Sequence, residues 1–200
     1  MNYAPKGKIN RVVEPGAFNV GVTALDHGHI NGMTNGLIEA GATIKYVYDP
    51  DAEKVANYLE SFPDVTVAES LEQILEDPEI QLVAAAAVPN LRSALGNRVM
   101  RAGKDYFTDK TGFTTLEQLE ETKKVVAETG KKYWVYFSER LHVEGAVFAG
   151  QLIEDSRIGR VIQVTGFGPH RLDKEKRPDW FFKKEQYGGI LADIGSHQIE

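Results

Sequence analysis

The sequence predicts an α/β protein in which a doubly wound parallel sheet is followed by the start of an α+β domain with an open, largely antiparallel sheet. Three observations carry this. Short apolar runs alternate with helical patterns from residue 18 to residue 137. The run Leu82–Ala87 is apolar throughout, as a strand buried on both faces of a parallel sheet requires. Beyond Phe137 the alternation stops and a different pattern begins.

Phe18–Ala24 reads as the first strand and Ile30–Ala40 as a helix stopped by Gly41. Thr43–Tyr48 is rich in β-formers and closes at Asp49-Pro50, which together offer an N-cap and first position for a helix over Asp51–Phe62. Val65–Ala68 is a short strand. Ser70-Leu71-Glu72-Gln73 forms a capping box for a helix to Glu76. The alanines of Leu82–Ala87 are poor strand formers and imply helices packed closely on them. Asn90 can cap the next helix, which ends at Gly103; Tyr106–Thr108 is a strand. A second capping box, Thr115-Leu116-Glu117-Gln118, opens a helix to Gly130, and Tyr133–Phe137 is a sixth strand.

The second pattern comprises a helix over Glu144–Glu154, a longer alternating strand over Gly159–Phe167, a charged and aromatic irregular segment over Gly168–Gln186, and a helical start at Asp193–Glu200 with no stop signal. A single strand cannot bury its own face. The expected organisation is therefore an N-terminal extension over 1–17, a first domain over 18–137, and the front part of a second domain over 138–200, with the whole being the front of a longer protein.

The chain has 200 residues, 42% hydrophobic and 26% charged, which is ordinary for a folded domain with a sizeable core. A net charge of −6 without any long basic run argues against a nucleic-acid partner. The absence of cysteine removes disulfides and thiolate chemistry, and no apolar run approaches membrane-spanning length. Met1–Gly16 is polar and lacks the apolar core of a signal peptide. A cytoplasmic enzyme or binding protein is expected.

The stretch Asn19–Met33 runs from strand through a tight turn into a helix, where a dinucleotide fold places its phosphate-binding turn. Ala24, Asp26 and His29 stand at the three glycine places of G-x-G-x-x-G, and Gly28 is the only glycine inside the turn. Asp26 would repel a pyrophosphate at close approach, with His27 and His29 placed to offset it. A metal set of Asp26, His27 and His29 is disfavoured because ligands on one turn lack a distant partner. Asp49 lies at the spacing of the acid that holds adenosine ribose, and no Arg or Lys follows at 50–53, which favours NAD over NADP. Lys110 follows a buried strand and can stabilise an alkoxide; Lys104 nearby reads as an ordinary surface lysine. Asp193 and His197 are four apart and share one face if helical, so they suit either an acid–base unit or a capping Asp beside a buried His.

Taken together, Val20–Gly32, Ala87-Val88-Pro89-Asn90, Gly103–Lys110, Phe137-Ser138-Glu139-Arg140, Ile158–Val161, Asp179-Trp180 and Gly188–His197 resemble the glucose–fructose oxidoreductase and inositol dehydrogenase family of two-domain nicotinamide enzymes. The resemblance extends from Val20 to Glu200. The family's Glu-Lys-Pro appears as Asp109-Lys110-Thr111, its Asp-x-x-x-His is met by Asp193 and His197, and its glycine fingerprint is not met. The resemblance implies a cofactor, NAD in preference to NADP, over Ala24, Leu25, Asp26, His27 and Gly28. It places adenosine ribose at Asp49 and nicotinamide near Pro89, Asn90, Asp109 and Lys110. It implies a catalytic trio of Lys110, Asp193 and His197 acting on a sugar, polyol or cyclitol substrate; His170, Arg171 and Trp180 lie in the irregular segment expected to face the cleft, where they could contact substrate hydroxyls. It further implies a homo-oligomer formed through the second domain. Members of such a family also serve as ligand-binding regulators or as enzymes that retain NAD while cleaving glycosides.

Overall fold

Val20 and Val22 alternate with Gly21 along the first strand and are fully buried, which fixes that strand at the centre of the molecule. The computed structural model describes residues 11–167 and 170–199. Most of the expected N-terminal extension therefore lies outside the described residues, as do Gly168 and Pro169 of the irregular segment and Glu200 at the chain end.

The chain runs β1 (Asn19–Thr23), α1 (His29–Glu39), β2 (Thr43–Tyr48), α2 (Ala52–Ser61), β3 (Thr66–Val67), α3 (Leu71–Glu76), β4 (Ile80–Ala85), α4 (Pro89–Arg101), β5 (Asp105–Asp109), α5 (Leu116–Thr129) and β6 (Tyr133–Tyr136). The six strands pair in parallel in the order β3-β2-β1-β4-β5-β6. The order reverses between β1 and β4, so a crevice opens above their carboxyl ends, where ligands bind in open α/β sheets. Val20, Val22, Leu82 and Ala84 pack toward α1 and α2 on one face; Val83 and Ala85 pack with Val99, Met100 and Val125 on the other.

The close approach of α4 falls on β5 and β6 rather than on the alanines of β4. A Cβ at Gly96 of α4 would lie 2.5 Å from both Tyr106 Cδ1 and Tyr133 Cε2, so only glycine lets α4 settle on β5 and β6. Ser70 and Thr115 cap α3 and α5 as expected, accepting from Gln73 N (3.2 Å) and Gln118 N (3.3 Å). The two glutamines reach back to Glu69 N and Thr114 N, one residue before the caps.

Several local expectations are corrected. Asp51, not Asp49, caps α2 by accepting from Glu53 N, because the Asp49 carboxylate is turned toward β1. Pro89 opens α4 and Asn90 lies inside its first turn without capping it. Lys104 is not a surface lysine: it is 4% exposed, and its ammonium donates to the carbonyls of Asp77 and Ile80. Gly159–Phe167 forms no strand; among the described residues none lies alongside it to share a hydrogen-bond ladder.

After β6 the chain forms α6 (Ser138–His142), α7 (Glu144–Glu154), 3-10 turns at Lys174–Lys176 and Asp179–Phe182, α8 (Lys184–Tyr187), α9 (Ile190–Asp193) and α10 (Gly195–Ile199). The expected helix through Asp193 and His197 is thus broken at Ile194. No helix among the described residues is long and apolar enough to cross a membrane.

Gly96→Ala is expected to cost about 1–3 kcal/mol of stability, the usual scale for overpacking a tight contact. Urea unfolding would show a lower midpoint with an unchanged slope.

Candidate active site

The β1–α1 turn is fastened by side chains rather than opened by glycines. Ala24 takes a left-handed backbone conformation (φ 52°) at the place of the first glycine. Its carbonyl receives the Ala86 N–H at 3.0 Å, tying the turn to the end of β4. Asp49, 8% exposed, accepts from Leu25 N at 2.7 Å and from Asp51 N at 2.9 Å, which fixes the turn to the end of β2. Asp26 is paired with Lys54 Nζ at 2.6 Å and accepts from Val88 N at 3.3 Å. The counter-charge expected from His27 and His29 therefore comes from Lys54 on α2. The hydrogen bond to Asp26 holds the Lys54 ammonium above its ordinary pKa.

The two histidines turn instead to Asp109, at the end of β5. His29 Nδ1 lies 2.9 Å from Asp109 Oδ1 and His27 Nδ1 lies 3.2 Å from Oδ2. Arg92 Nη2 reaches Oδ2 at 3.2 Å, and Lys110 N donates to Oδ1 at 2.8 Å. Arg92 is 1% exposed and also donates to the carbonyls of Ala87 (2.6 Å) and Thr111 (3.2 Å). Burial alone would raise the Asp109 pKa; the His27 and His29 bonds and the Arg92 charge outweigh it and hold the carboxyl well below the usual range. His27, His29 and Asp109 offer atoms within 4.8 Å of one another that could ligate a metal, so the distant partner lacking in the sequence is Asp109, and Asp26 is outside the group. With Arg92 and Lys110 N on the same carboxylate, the arrangement is a hydrogen-bonded hub that is already charge-compensated.

The later part of the chain closes over this edge. Lys110 Nζ pairs with Asp193 Oδ1, and Thr111 Oγ1 donates to the Ala192 carbonyl. Asp193 Oδ2 is buried without a hydrogen-bond partner. Asp193 is thus engaged with Lys110, while His197, 5% exposed, puts Nδ1 at 2.6 Å from Glu139 Oε2. Asp193 and His197 make no hydrogen bond to each other, since Asp193 Oδ2 and both imidazole nitrogens are without a hydrogen-bond partner. Burial, then the nearby Lys110 charge, lower the His197 pKa against the opposing pull of Glu139 and Asp193.

A cavity of about 150 Å³ gathers His27, Pro89, Asp109, Lys110, His170, Trp180 and Asp193 from the expected set, together with His29, Arg92, Glu139 and Arg177. Ala24, Leu25, Asp26, Gly28, Asp49 and Asn90 lie outside its lining, as does His197, which meets it through Glu139. Of the groups the sequence reading missed, Glu139 lies in a motif it had noted. Lys54 falls one place beyond the window searched, and nothing in the sequence marks Arg92 as buried.

The residues around the switch point fit a dinucleotide. Asn90 Oδ1 is buried without a partner beside the crevice, and a Cβ at Gly28 would meet nothing within 4 Å, so the turn has open space above it. Each Asp49 carboxylate oxygen accepts one backbone N–H and keeps a further lone pair. Residues 20–137 match the family model described as the oxidoreductase family with an NAD-binding Rossmann fold, GFO/IDH/MocA, and residues 147–200 match the GFO/IDH/MocA C-terminal domain. The chain belongs to the GFO/IDH/MocA family.

Among relatives of this GFO/IDH/MocA chain, D-xylose dehydrogenase of Paenarthrobacter nicotinovorans is 29% identical over 64% of the chain and 34% of the relative. The scyllo-inositol 2-dehydrogenase (NADP(+)) of Bacillus subtilis is 30% identical over 70% of the chain and 38% of the relative. A crystal structure from Erwinia carotovora atroseptica SCRI1043, provisionally named an oxidoreductase, is 48% identical with a TM-score of 0.86, covering 91% of this chain and 54% of that one. The chain therefore spans about half the length of that solved relative and less of the curated ones.

Asp109→Asn leaves Arg92 buried without its counter-charge and is expected to cost about 3 kcal/mol or more at neutral pH. Because the folded pKa of Asp109 is depressed, its contribution is full above the unfolded value of about 3.9 and fades as pH falls below it. Urea curves of parent and variant should therefore converge progressively below about pH 4. Asp26→Gly restores a fingerprint glycine but removes the links to Lys54 and Val88; fluorescence titration with NADH should show weaker binding, whereas tighter binding would reveal the carboxylate as repulsive.

Proposed function

We propose that the chain forms the dinucleotide-binding part and the front of the substrate part of an NAD-dependent dehydrogenase acting on a secondary hydroxyl of a sugar, polyol or cyclitol. The observation that carries this reading is the convergence of Lys110, Asp193 and the Glu139–His197 pair at the carboxyl edge of the sheet, beside the switch point. The names of the two dehydrogenase relatives support a hydroxyl-bearing small molecule as substrate. The lack of a basic residue at 50–53 supports NAD, although one relative is named for NADP. The same reading carries a cytoplasmic homo-oligomer assembled through the second domain.

Bound NAD would supply the hydride acceptor. The chain's own residues supply the rest. Neutral His197 is suited to accept the hydroxyl proton as the hydride departs. The Lys110 ammonium, held by Asp193, is a fixed positive charge for the developing alkoxide. Asp193 Oδ2 is a free acceptor for a neighbouring substrate hydroxyl. Asp109 accepts from Lys110 N and Arg92 donates to the Thr111 carbonyl, which holds the loop that carries Lys110. Ala24–Gly28, Asp49, Pro89 and Asn90 would hold the dinucleotide, and His170 and Trp180 would contact substrate.

The altered turn, with Asp26 at a glycine place, favours a second reading as a nucleotide-binding regulator without turnover. An NAD-retaining glycoside-cleaving enzyme is the third. Steady-state NADH release on a panel of sugars, polyols and cyclitols selects the first. Nucleotide binding without turnover selects the second, and glycoside cleavage without net NADH selects the third.

His197→Ala should lower kcat by about 10²–10⁴-fold with NADH affinity nearly intact, and the acidic limb of kcat/KM should disappear. Lys110→Ala should lower turnover as well. A variant lacking both groups yet oxidising substrate at the parent rate would rule this mechanism out. Asp49→Ala should weaken NAD and narrow its advantage over NADP; unchanged affinity for both would remove Asp49 from the ribose site.

A further inference from the structure

We infer that Glu139, rather than Asp193, is the positioning partner of His197, setting which ring nitrogen is free to take the substrate proton. The inference deepens the dehydrogenase reading and rests on it.

Three observations place Glu139 in this role. His197 Nδ1 lies 2.6 Å from Glu139 Oε2, an ion-pair contact, while the ring is otherwise buried with neither nitrogen in an aligned hydrogen bond. Asp193 is engaged through Oδ1 with Lys110, and its Oδ2 and both imidazole nitrogens are without a hydrogen-bond partner, so Asp193 does not bond the ring. Glu139 is itself held on both sides: Ser138 Oγ donates to Oε2 at 2.7 Å, and His170 Nε2 lies 3.9 Å from Oε1. The charged groups around His197 are thus Glu139 from α6, Lys110 after β5, Asp193 from α9 and His170 from the irregular segment, with the Phe137 ring 6.0 Å away.

A carboxylate at Nδ1 favours the tautomer that carries its proton there and leaves the Nε2 lone pair open. In alcohol oxidation the substrate O–H bond breaks and its proton moves to Nε2. Bound NAD would accept the hydrogen of the adjacent C–H bond, with its electron pair, as hydride while the C=O bond forms. His197 is then an imidazolium between two groups of opposite effect. Lys110 repels it and Glu139 stabilises it, so Glu139 lowers the energy of the charge pair formed during the step. The proton leaves to solvent after product release.

The test is a histidine-labelled NMR titration of the full chain beside kcat/KM against pH. In the parent, His197 should be mainly the Nδ1–H tautomer at neutral pH. Glu139→Gln removes the anion that favours the imidazolium, so the His197 pKa should fall by about 1 unit or more, the scale for a close opposite charge. The acidic limb of kcat/KM should move to lower pH with it, and kcat should fall by at least about tenfold. Asp193→Asn should move the His197 titration less. Glu139 is 41% exposed, and an unchanged unfolding midpoint would confirm that the variant is folded. An unmoved His197 titration in Glu139→Gln, or a larger shift in Asp193→Asn, would overturn the assignment. Absence of NAD+ reduction with every hydroxyl substrate would instead refute the dehydrogenase reading, since the NMR titration decides the pairing without turnover.

Discussion

The Asp109 carboxylate is the constraint on which the site depends. It lies at the end of β5, almost wholly buried, and it draws on the β1–α1 turn through His27 and His29, on α4 through Arg92, and on its own loop through Lys110 N. Three segments far apart in sequence are therefore held by one charged group. A buried ion pair adds little net stability over an apolar replacement, because desolvation offsets the attraction. Its value lies in geometry: a guanidinium and two imidazoles around one carboxylate admit few alternative arrangements. The loop that carries the Lys110 side chain is thereby fixed, and the Asp193–Lys110 pair can form on it.

A second layer of charge is built on this base. Lys110 faces Asp193, and His197 faces Glu139, each cation or incipient cation with its own acid. The pairing sets one acid beside the ammonium and another beside the imidazole. Without the acids, mutual repulsion and desolvation would act together against the charged forms. The first part of the chain contributes Lys110 and the later part contributes the acids and the imidazole, so the site exists only where the two meet.

The sheet was legible because its signals are local. Apolar runs, capping boxes at Ser70 and Thr115, and the αL glycine at Gly130 each act within a few residues. Strand position, spacing and resemblance single out Lys110, Asp193 and His197 as candidates, but not which acid each one faces. Helical periodicity links Asp193 to His197, whereas a partner supplied by another element, as Glu139 is for His197, cannot be read from periodicity. Arg92 and Lys104 escaped for the same reason: burial of a cation depends on carbonyls and carboxylates supplied by distant elements, such as Thr111 and Asp109 for one and Asp77 and Ile80 for the other. The strand expected over Gly159–Phe167 has the alternation of a strand, but alternation specifies a face and not the neighbour that would cover it.

That uncovered stretch has a colloidal consequence. Ile162, Val164 and Phe167 are 87%, 79% and 91% exposed on backbone that makes no ladder. Such a segment is a template for sticking between molecules. A net charge of −6 adds mutual repulsion between copies of the chain. That repulsion vanishes near the isoelectric point of about 5.5 and is screened by salt, so solubility of the chain is governed by pH and ionic strength as much as by fold stability.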